Sequence, residues 1–162
     1  MAEVAQEGDA LVAVGRLWLG GRPLEAGKAL TAIVPPATRP VWAGRIVAWA
    51  TARAKMTAFP EIAALVAATE RAVTAVEATA VRDALAATLA HEQGSGRFDS
   101  LREATLILAF NAAHLLVAAE DEAPPNPRGG WWFVASLKCV GDELDADFAK
   151  DAWPLLREFA AE

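Results

Sequence analysis

Alanine makes up about a quarter of this chain, and apolar residues recur along most of it at the three- and four-residue spacing of a helix. Alanine has the highest helix propensity of the common residues, because its side chain loses no rotamer entropy in a helix. The sequence shows no convincing run of alternating β-branched residues, the pattern that indicates a strand. We therefore predict an all-α fold, either a helical bundle or an irregular array of seven or eight helices.

The 162 residues are enough for one domain with an ordinary core, so we expect a single domain over residues 1–162. The longest break in the helical pattern is the proline-rich loop at 121–130. Charged residues interrupt the apolar runs too often for a transmembrane helix. The acidic N-terminus lacks the basic region of a secretory signal. Cys139 is the single cysteine, which excludes an internal disulfide and fits a reducing compartment. A soluble, cytoplasmic protein is expected, and the excess of arginine over lysine suggests a bacterial genome rich in G and C.

Several residues carry signals for where the helices begin. Thr79 is a plausible N-cap for the fifth helix. Ser100 and Glu103 have the spacing of a capping box at the start of the sixth helix, which is apolar almost all round and is therefore expected to be central. In the last helix Pro154 should cause a kink or a restart, with Asp151 as the new cap.

The net charge of −6 conceals an uneven distribution along the chain. The basic segment, residues 11–60, holds a single acid, Glu25, and seven basic residues: Arg16, Arg22, Lys28, Arg39, Arg45, Arg53 and Lys55. The acidic segment, residues 142–162, holds seven acids: Asp142, Glu143, Asp145, Asp147, Asp151, Glu158 and Glu162. The two segments could pair within one chain, pair between the subunits of a homo-oligomer, or leave a basic face for an acidic partner.

Four of the six tryptophans form two pairs with different expected environments. Trp42 and Trp49 share a helical stripe with Ile46 and are expected in the core. Trp131 and Trp132 are adjacent, and neighbouring helical positions diverge by about 100°, so they cannot both face one way. One of them is expected at the surface or beneath the proline-rich loop.

A polar row on the sixth helix is the main candidate for chemistry. Glu103, Asn111 and His114 could line a cleft in which His114 accepts a proton or binds a metal. Metal sites usually need a second histidine or a cysteine cluster nearby, so no metal and no cofactor is predicted. Cys139 beside Lys138 has no recognisable base and is read as a packed cysteine.

Nucleic-acid binding is disfavoured. Basic and aromatic side chains alternate on the third helix, but the isoelectric point is near 5.0 and the tryptophans there face inward. Phosphate-binding loops, nucleophile elbows and dinucleotide fingerprints do not occur in the sequence.

Part of the chain resembles an uncharacterised bacterial family of small helical domains. The residues that carry the resemblance are Glu25-Ala26, Ala32-Ile33-Val34-Pro35-Pro36, Trp42-Ala43, the run from Ala67 to Val73, Glu77 and Arg82. The likeness spans residues 20–87, and the chain departs from the family pattern at Pro40 and Val41. The resemblance implies a helical bacterial domain and carries over no functional residue.

These observations predict a non-enzymatic protein-interaction module, such as an accessory, adaptor or immunity-type component of a bacterial system. Its partner is expected to be a protein that contacts Arg22, Arg39, Arg45, Trp131 and Trp132. The alternative is an enzyme or small-ligand-binding protein with a polar cleft around Glu103, Asn111 and His114.

Overall fold

The computed structural model describes residues 2–56, 59–96, 99–118 and 128–160. Within these ranges the chain forms eight α-helices and no strand, so the predicted all-α fold is confirmed. The helices are α1 (Ala2–Leu19), α2 (Pro23–Ile33), α3 (Arg39–Arg53), α4 (Pro60–Thr69), α5 (Ala75–Gly94), α6 (Ser100–Ala118), α7 (Arg128–Asp142) and α8 (Phe148–Arg157). Among the described residues, no helix combines the length and hydrophobicity needed to cross a membrane.

The fifth helix begins earlier than Thr79, and the prediction of a cap there is wrong. Helix α5 starts at Ala75, and Thr74 precedes it with extended backbone angles. The Thr74 hydroxyl accepts a hydrogen bond from the backbone N–H of Glu77 at 3.2 Å, which satisfies a donor that the first helical turn leaves unpaired.

Helix α6 is capped by Asp99, so the predicted capping box is also wrong. One carboxylate oxygen of Asp99 accepts hydrogen bonds from the backbone N–H groups of Leu101 and Arg102, both at 3.1 Å. With those donors satisfied, the Ser100 hydroxyl donates instead to Glu143 at 3.0 Å. The Glu103 carboxylate accepts from the side-chain amide of Gln93 in α5 at 3.2 Å.

Pro154 lies inside an uninterrupted α8, so the predicted restart at Asp151 is wrong. Proline has no backbone N–H and cannot donate to the carbonyl one turn earlier, but the apolar side of α8 is buried in the core through Phe148 and Leu156. The Asp151 carboxylate does not cap the helix and accepts a hydrogen bond from Arg53 of α3.

Helix α6 occupies the centre of the fold, as predicted. It contacts α3, α4, α5 and α7, and it buries residues on most of its circumference. The buried residues of α6 are Ala104, Thr105, Leu106, Leu108, Ala109, Ala112, Ala113, Leu115 and Leu116. All of them except Thr105 belong to one continuous apolar cluster that also includes residues from every other helix.

Two buried tryptophans fasten α8 to the rest of the fold. The Trp18 indole N–H donates to the Ala149 carbonyl at 2.6 Å, and the Trp42 indole N–H donates to the Leu156 carbonyl at 3.0 Å. Trp42 also meets Phe133 edge to face, with ring centroids 5.3 Å apart. Its core placement agrees with the predicted stripe on α3.

Candidate functional site

The basic and acidic segments of the sequence meet along one seam between α3 and α8. Arg45 donates to Glu158 at 2.8 Å, while Arg53 donates to Asp145 at 3.0 Å and to Asp151 at 2.7 Å. We call these five residues the α3–α8 seam. Pairing within one chain is thus confirmed for these two arginines.

Arg53 is the centre of this seam. The hydrogen bonds that Arg53 donates to Asp145 and Asp151 raise the pKa of Arg53 above its ordinary value, and the same bond to Asp145 lowers the pKa of that carboxyl below its usual range. The guanidinium carbon also lies 5.4 Å from the Trp49 ring centroid and 5.7 Å from that of Phe148. These contacts hold Arg53 in place within the chain and leave it little freedom to bind a partner.

Besides Arg45, two arginines are predicted to contact a partner, Arg22 and Arg39, and both also bond within the chain. Arg39 donates to the carbonyls of Thr31 at 2.6 Å and Val34 at 3.1 Å, where α2 ends. Because the last carbonyls of a helix lack helical donors, Arg39 serves as a side-chain cap for α2. Burial lowers the pKa of Arg39. Arg22, which immediately precedes α2, is more exposed and pairs with Glu25 in the first turn of that helix.

The two adjacent tryptophans lie in different environments, as their neighbouring helical positions require. Trp131 is half-buried beneath the Lys28 ammonium, which lies 4.7 Å from the ring centroid. Trp132 is 56% exposed, which confirms that one of the pair lies at the surface. We group Lys28, Trp131 and Trp132 under the name aromatic face; Trp132 is its exposed member, and Trp131, beneath Lys28, is the neighbouring residue of α7. Of the proline-rich loop predicted at 121–130, residues 121–127 lie outside the described residues. Residues 128–130 belong to α7, so the predicted loop end at 130 is wrong.

Close packing of α2 and α7 positions the aromatic face. A Cβ atom added to Gly27 would lie 2.9 Å from the Trp131 carbonyl oxygen, so a larger residue would push the helices apart. On the opposite side of α7, the Asn111 amide donates to the Trp132 carbonyl at 3.3 Å and to the Ser136 hydroxyl at 3.2 Å. The backbone that carries Trp132 is therefore held by α6.

The three members of the predicted polar cleft have separate partners. Asn111 bonds to α7, and Glu103 bonds to Gln93 of α5. The His114 ring stands edge-on to Phe110, with centroids 4.6 Å apart. Burial lowers the pKa of His114, and the Arg82 charge lowers it further, so neutral pH favours the uncharged imidazole. Glu103 and His114 are about 16 Å apart along the helix axis.

Other reactive side chains are dispersed. Among the described residues, no group of three histidine, cysteine or acidic side chains could hold a metal ion. Cys139 is exposed, so the prediction of a packed cysteine is wrong, and the Lys138 ammonium pairs with Asp142 one helical turn away. The enzyme or ligand-binding alternative stays a prediction.

Comparisons with family models, with curated proteins and with solved structures find no match to this chain. Lys28 is the member of the aromatic face that sequence reasoning missed. Its spacing from Trp131 is about a hundred residues, and such a contact has no local signal in the sequence.

Proposed function

We propose that this chain is a non-enzymatic interaction module that binds a protein partner through the aromatic face. The observation that carries the proposal is the 56% exposure of Trp132 on a helix whose backbone is anchored by Asn111. A tryptophan can bury a large apolar area while its indole N–H keeps a polar contact, and tryptophan is enriched among the residues that dominate binding energy.

The surroundings of Trp132 suit a preformed contact. Its helix is fixed on one side by Asn111 and on the other by the close approach at Gly27. Little backbone freedom would be lost on binding, and this lowers the entropic cost of association. The Lys28 ammonium over Trp131 supplies a cation at the edge of the aromatic surface, which favours a partner with acidic or polar groups around its apolar contact.

Charge steering has a smaller part in this proposal than the sequence suggested. Arg39 and Arg45 are engaged within the chain, and Arg22 pairs with Glu25. An arginine that must leave a carboxylate before it meets a partner gains less from binding. The aromatic contact is therefore proposed as the main source of affinity.

The proposed setting is the cytoplasm of a bacterium, where the module would act as an accessory, adaptor or immunity-type component. Support comes from the single cysteine, the excess of arginine over lysine and the resemblance of residues 20–87 to a bacterial helical family. Direct capture identifies the partner.

The test is an affinity capture from the native host with wild type, Trp132→Ala and the matched control Val76→Ala. Val76 is also an exposed apolar side chain on a helix, at 80%, but it lies on α5 away from the aromatic face. Circular dichroism first confirms that each variant is folded. We expect a protein retained by wild type and by Val76→Ala and lost by Trp132→Ala. Equal retention by all three, or no retained protein, would contradict the proposal.

A further inference from the structure

Helix α1 has an outward-facing stripe in addition to its core-facing side. Val14 and Trp18 are buried in the core. The stripe consists of Asp9, Val12, Arg16 and Leu19, which are all exposed and follow an i, i+3, i+7, i+10 spacing. These positions lie on one face of a helix. Val12 and Leu19, at 54% and 55%, are two of the few large apolar side chains that the described residues expose.

The same face forms one wall of an open groove of about 680 Å³ between α1 and α8. The floor is made where Trp153 of α8 packs on Gly15, so closely that a Cβ on that glycine would lie 3.0 Å from the ring. Leu11, Val12 and Leu19 line the α1 wall. The groove is mainly apolar and long enough to run beside several turns of α1, as the docking of a helix requires.

The charges at this groove lack ion-pair partners among the described residues. Arg16 and Arg157 border it, and Asp9 lies on the same face of α1. Asp9 and Arg16 are seven residues apart, or about 10 Å along the axis, which is too far for a direct pair. This differs from the α3–α8 seam, where each arginine meets a carboxylate.

We propose that the occupant of the groove is α1 of a second copy of this chain, packed antiparallel. A two-fold axis beside Val12, midway between Asp9 and Arg16, sets Asp9 of each copy opposite Arg16 of the other. The stripe is thus complementary to itself, as an interface with two-fold symmetry requires. Parallel packing in register would instead place like charges together.

The antiparallel arrangement also accounts for the apolar side chains. The Val12 side chains of the two copies approach each other at the axis. Leu19 lies beyond Arg16, where the second copy's α1, which extends from Ala2, would cover it. A helix with apolar residues on two faces buries more apolar area when each face has a neighbour, and within the described residues the outward stripe of α1 is exposed.

This interface is independent of the proposed function. The stripe of α1 shares no residue with the aromatic face, so the two can fail separately. We expect Trp132→Ala to leave self-association unchanged. Likewise, if no partner were captured, the proposed dimer would be unaffected by that result.

Sedimentation velocity over a series of protein concentrations tests the dimer through a charge exchange. Wild type is expected to shift from one copy to two as concentration rises. Asp9→Arg and Arg16→Asp each place like charges opposite one another across the axis and should each weaken association at least tenfold. The double variant Asp9→Arg with Arg16→Asp restores opposite charges and should recover most of the loss. A wild type that stays monomeric up to its solubility limit, or a dimer indifferent to both single changes, would overturn the proposal.

A cysteine placed at the axis provides a second readout that does not depend on affinity. In a Cys139→Ser background, Val12→Cys should form a disulfide-linked dimer rapidly when a mild thiol oxidant is added. Val76→Cys in the same background is the matched control, since Val76 is more exposed but lies on α5. Faster cross-linking at position 12 supports the two-fold axis. Equal or faster cross-linking at position 76 would contradict it.

Discussion

The α3–α8 seam and the outward stripe of α1 contain the same kinds of charged and apolar groups, but the charged groups form ion pairs only in the seam. Both bring arginines and carboxylates next to apolar side chains. In the seam, Arg45 and Arg53 are paired within the chain and Arg53 rests against aromatic rings. On α1, Asp9 and Arg16 have no ion-pair partner among the described residues, and Val12 between them is exposed. Basic and acidic segments that are separate in the sequence can thus form ion pairs with each other in the fold. Surfaces whose charged groups have no such partner are better candidates for binding.

The largest expected effect on the free energy of unfolding distinguishes a side chain used within the fold from one left at the surface, here a buried and an exposed tryptophan. Trp42→Ala should lower the free energy of unfolding by about 3–5 kcal/mol, because it leaves a cavity and removes the bond to the Leu156 carbonyl. Trp132→Ala should change it by about 0.5 kcal/mol or less. Urea unfolding followed by circular dichroism measures both. Similar losses would mean that Trp132 is a packing residue and is not available to a partner.

An intermediate effect on the free energy of unfolding distinguishes Arg39, which bonds to the last carbonyls of α2, from Arg22, which precedes its first turn. Arg39→Met should cost about 2 kcal/mol, since the Thr31 and Val34 carbonyls lose a charged donor. Arg22→Met removes only an exposed pair with Glu25 and should stay within about 0.5 kcal/mol of wild type. The same urea titration serves for both variants. If Arg22→Met proved the more damaging, the assignment of Arg39 as the cap of α2 would be wrong.

The smallest effect concerns the pH dependence of the seam. The bond from Arg53 lowers the pKa of Asp145 in the folded chain, so the stabilisation is present above the ordinary aspartate pKa and is lost as pH falls through the lowered value. Arg53→Met should therefore reduce stability at neutral pH and lose most of that deficit in strong acid. Urea midpoints of the two proteins, measured from neutral to acidic pH, should converge.

A control for this pH dependence comes from a second ion pair. Arg102 bonds to Glu92 and lowers the pKa of that carboxyl, so both proteins will lose some stability in acid. Only the difference between wild type and Arg53→Met reports on the seam. A difference that stays constant with pH would show that the seam contributes through packing and not through charge.

Much of the fold could be predicted because its signals are local. Alanine content and apolar spacing were sufficient for the helices, and Trp42 was correctly placed in the core. The helix starts were harder, because several residues can cap and the correct one depends on small differences in geometry. Thr74, followed three residues later by Glu77, carries a capping signature in the sequence, and it is this threonine, not Thr79, that caps α5.

The candidate site was less accessible to sequence reasoning, because its contacts join distant parts of the chain. Arg45 and Glu158 are 113 residues apart, and no local pattern specifies that they meet. No sequence pattern around Arg39 indicates that its side chain bonds to the carbonyls at the end of α2. The spacing of Asp9, Val12 and Arg16 is visible in the sequence, but which side of α1 faces the core depends on the tertiary fold.

The central claim is that the aromatic face, and not the arginines of the basic segment, contacts the partner. Titration calorimetry of the captured partner against Trp132→Ala and Arg22→Glu tests it most directly. We predict that Trp132→Ala weakens the affinity at least about tenfold, as expected for an anchoring aromatic side chain, while Arg22→Glu changes it by less than about threefold. Loss of binding with Arg22→Glu together with full affinity for Trp132→Ala would contradict the claim.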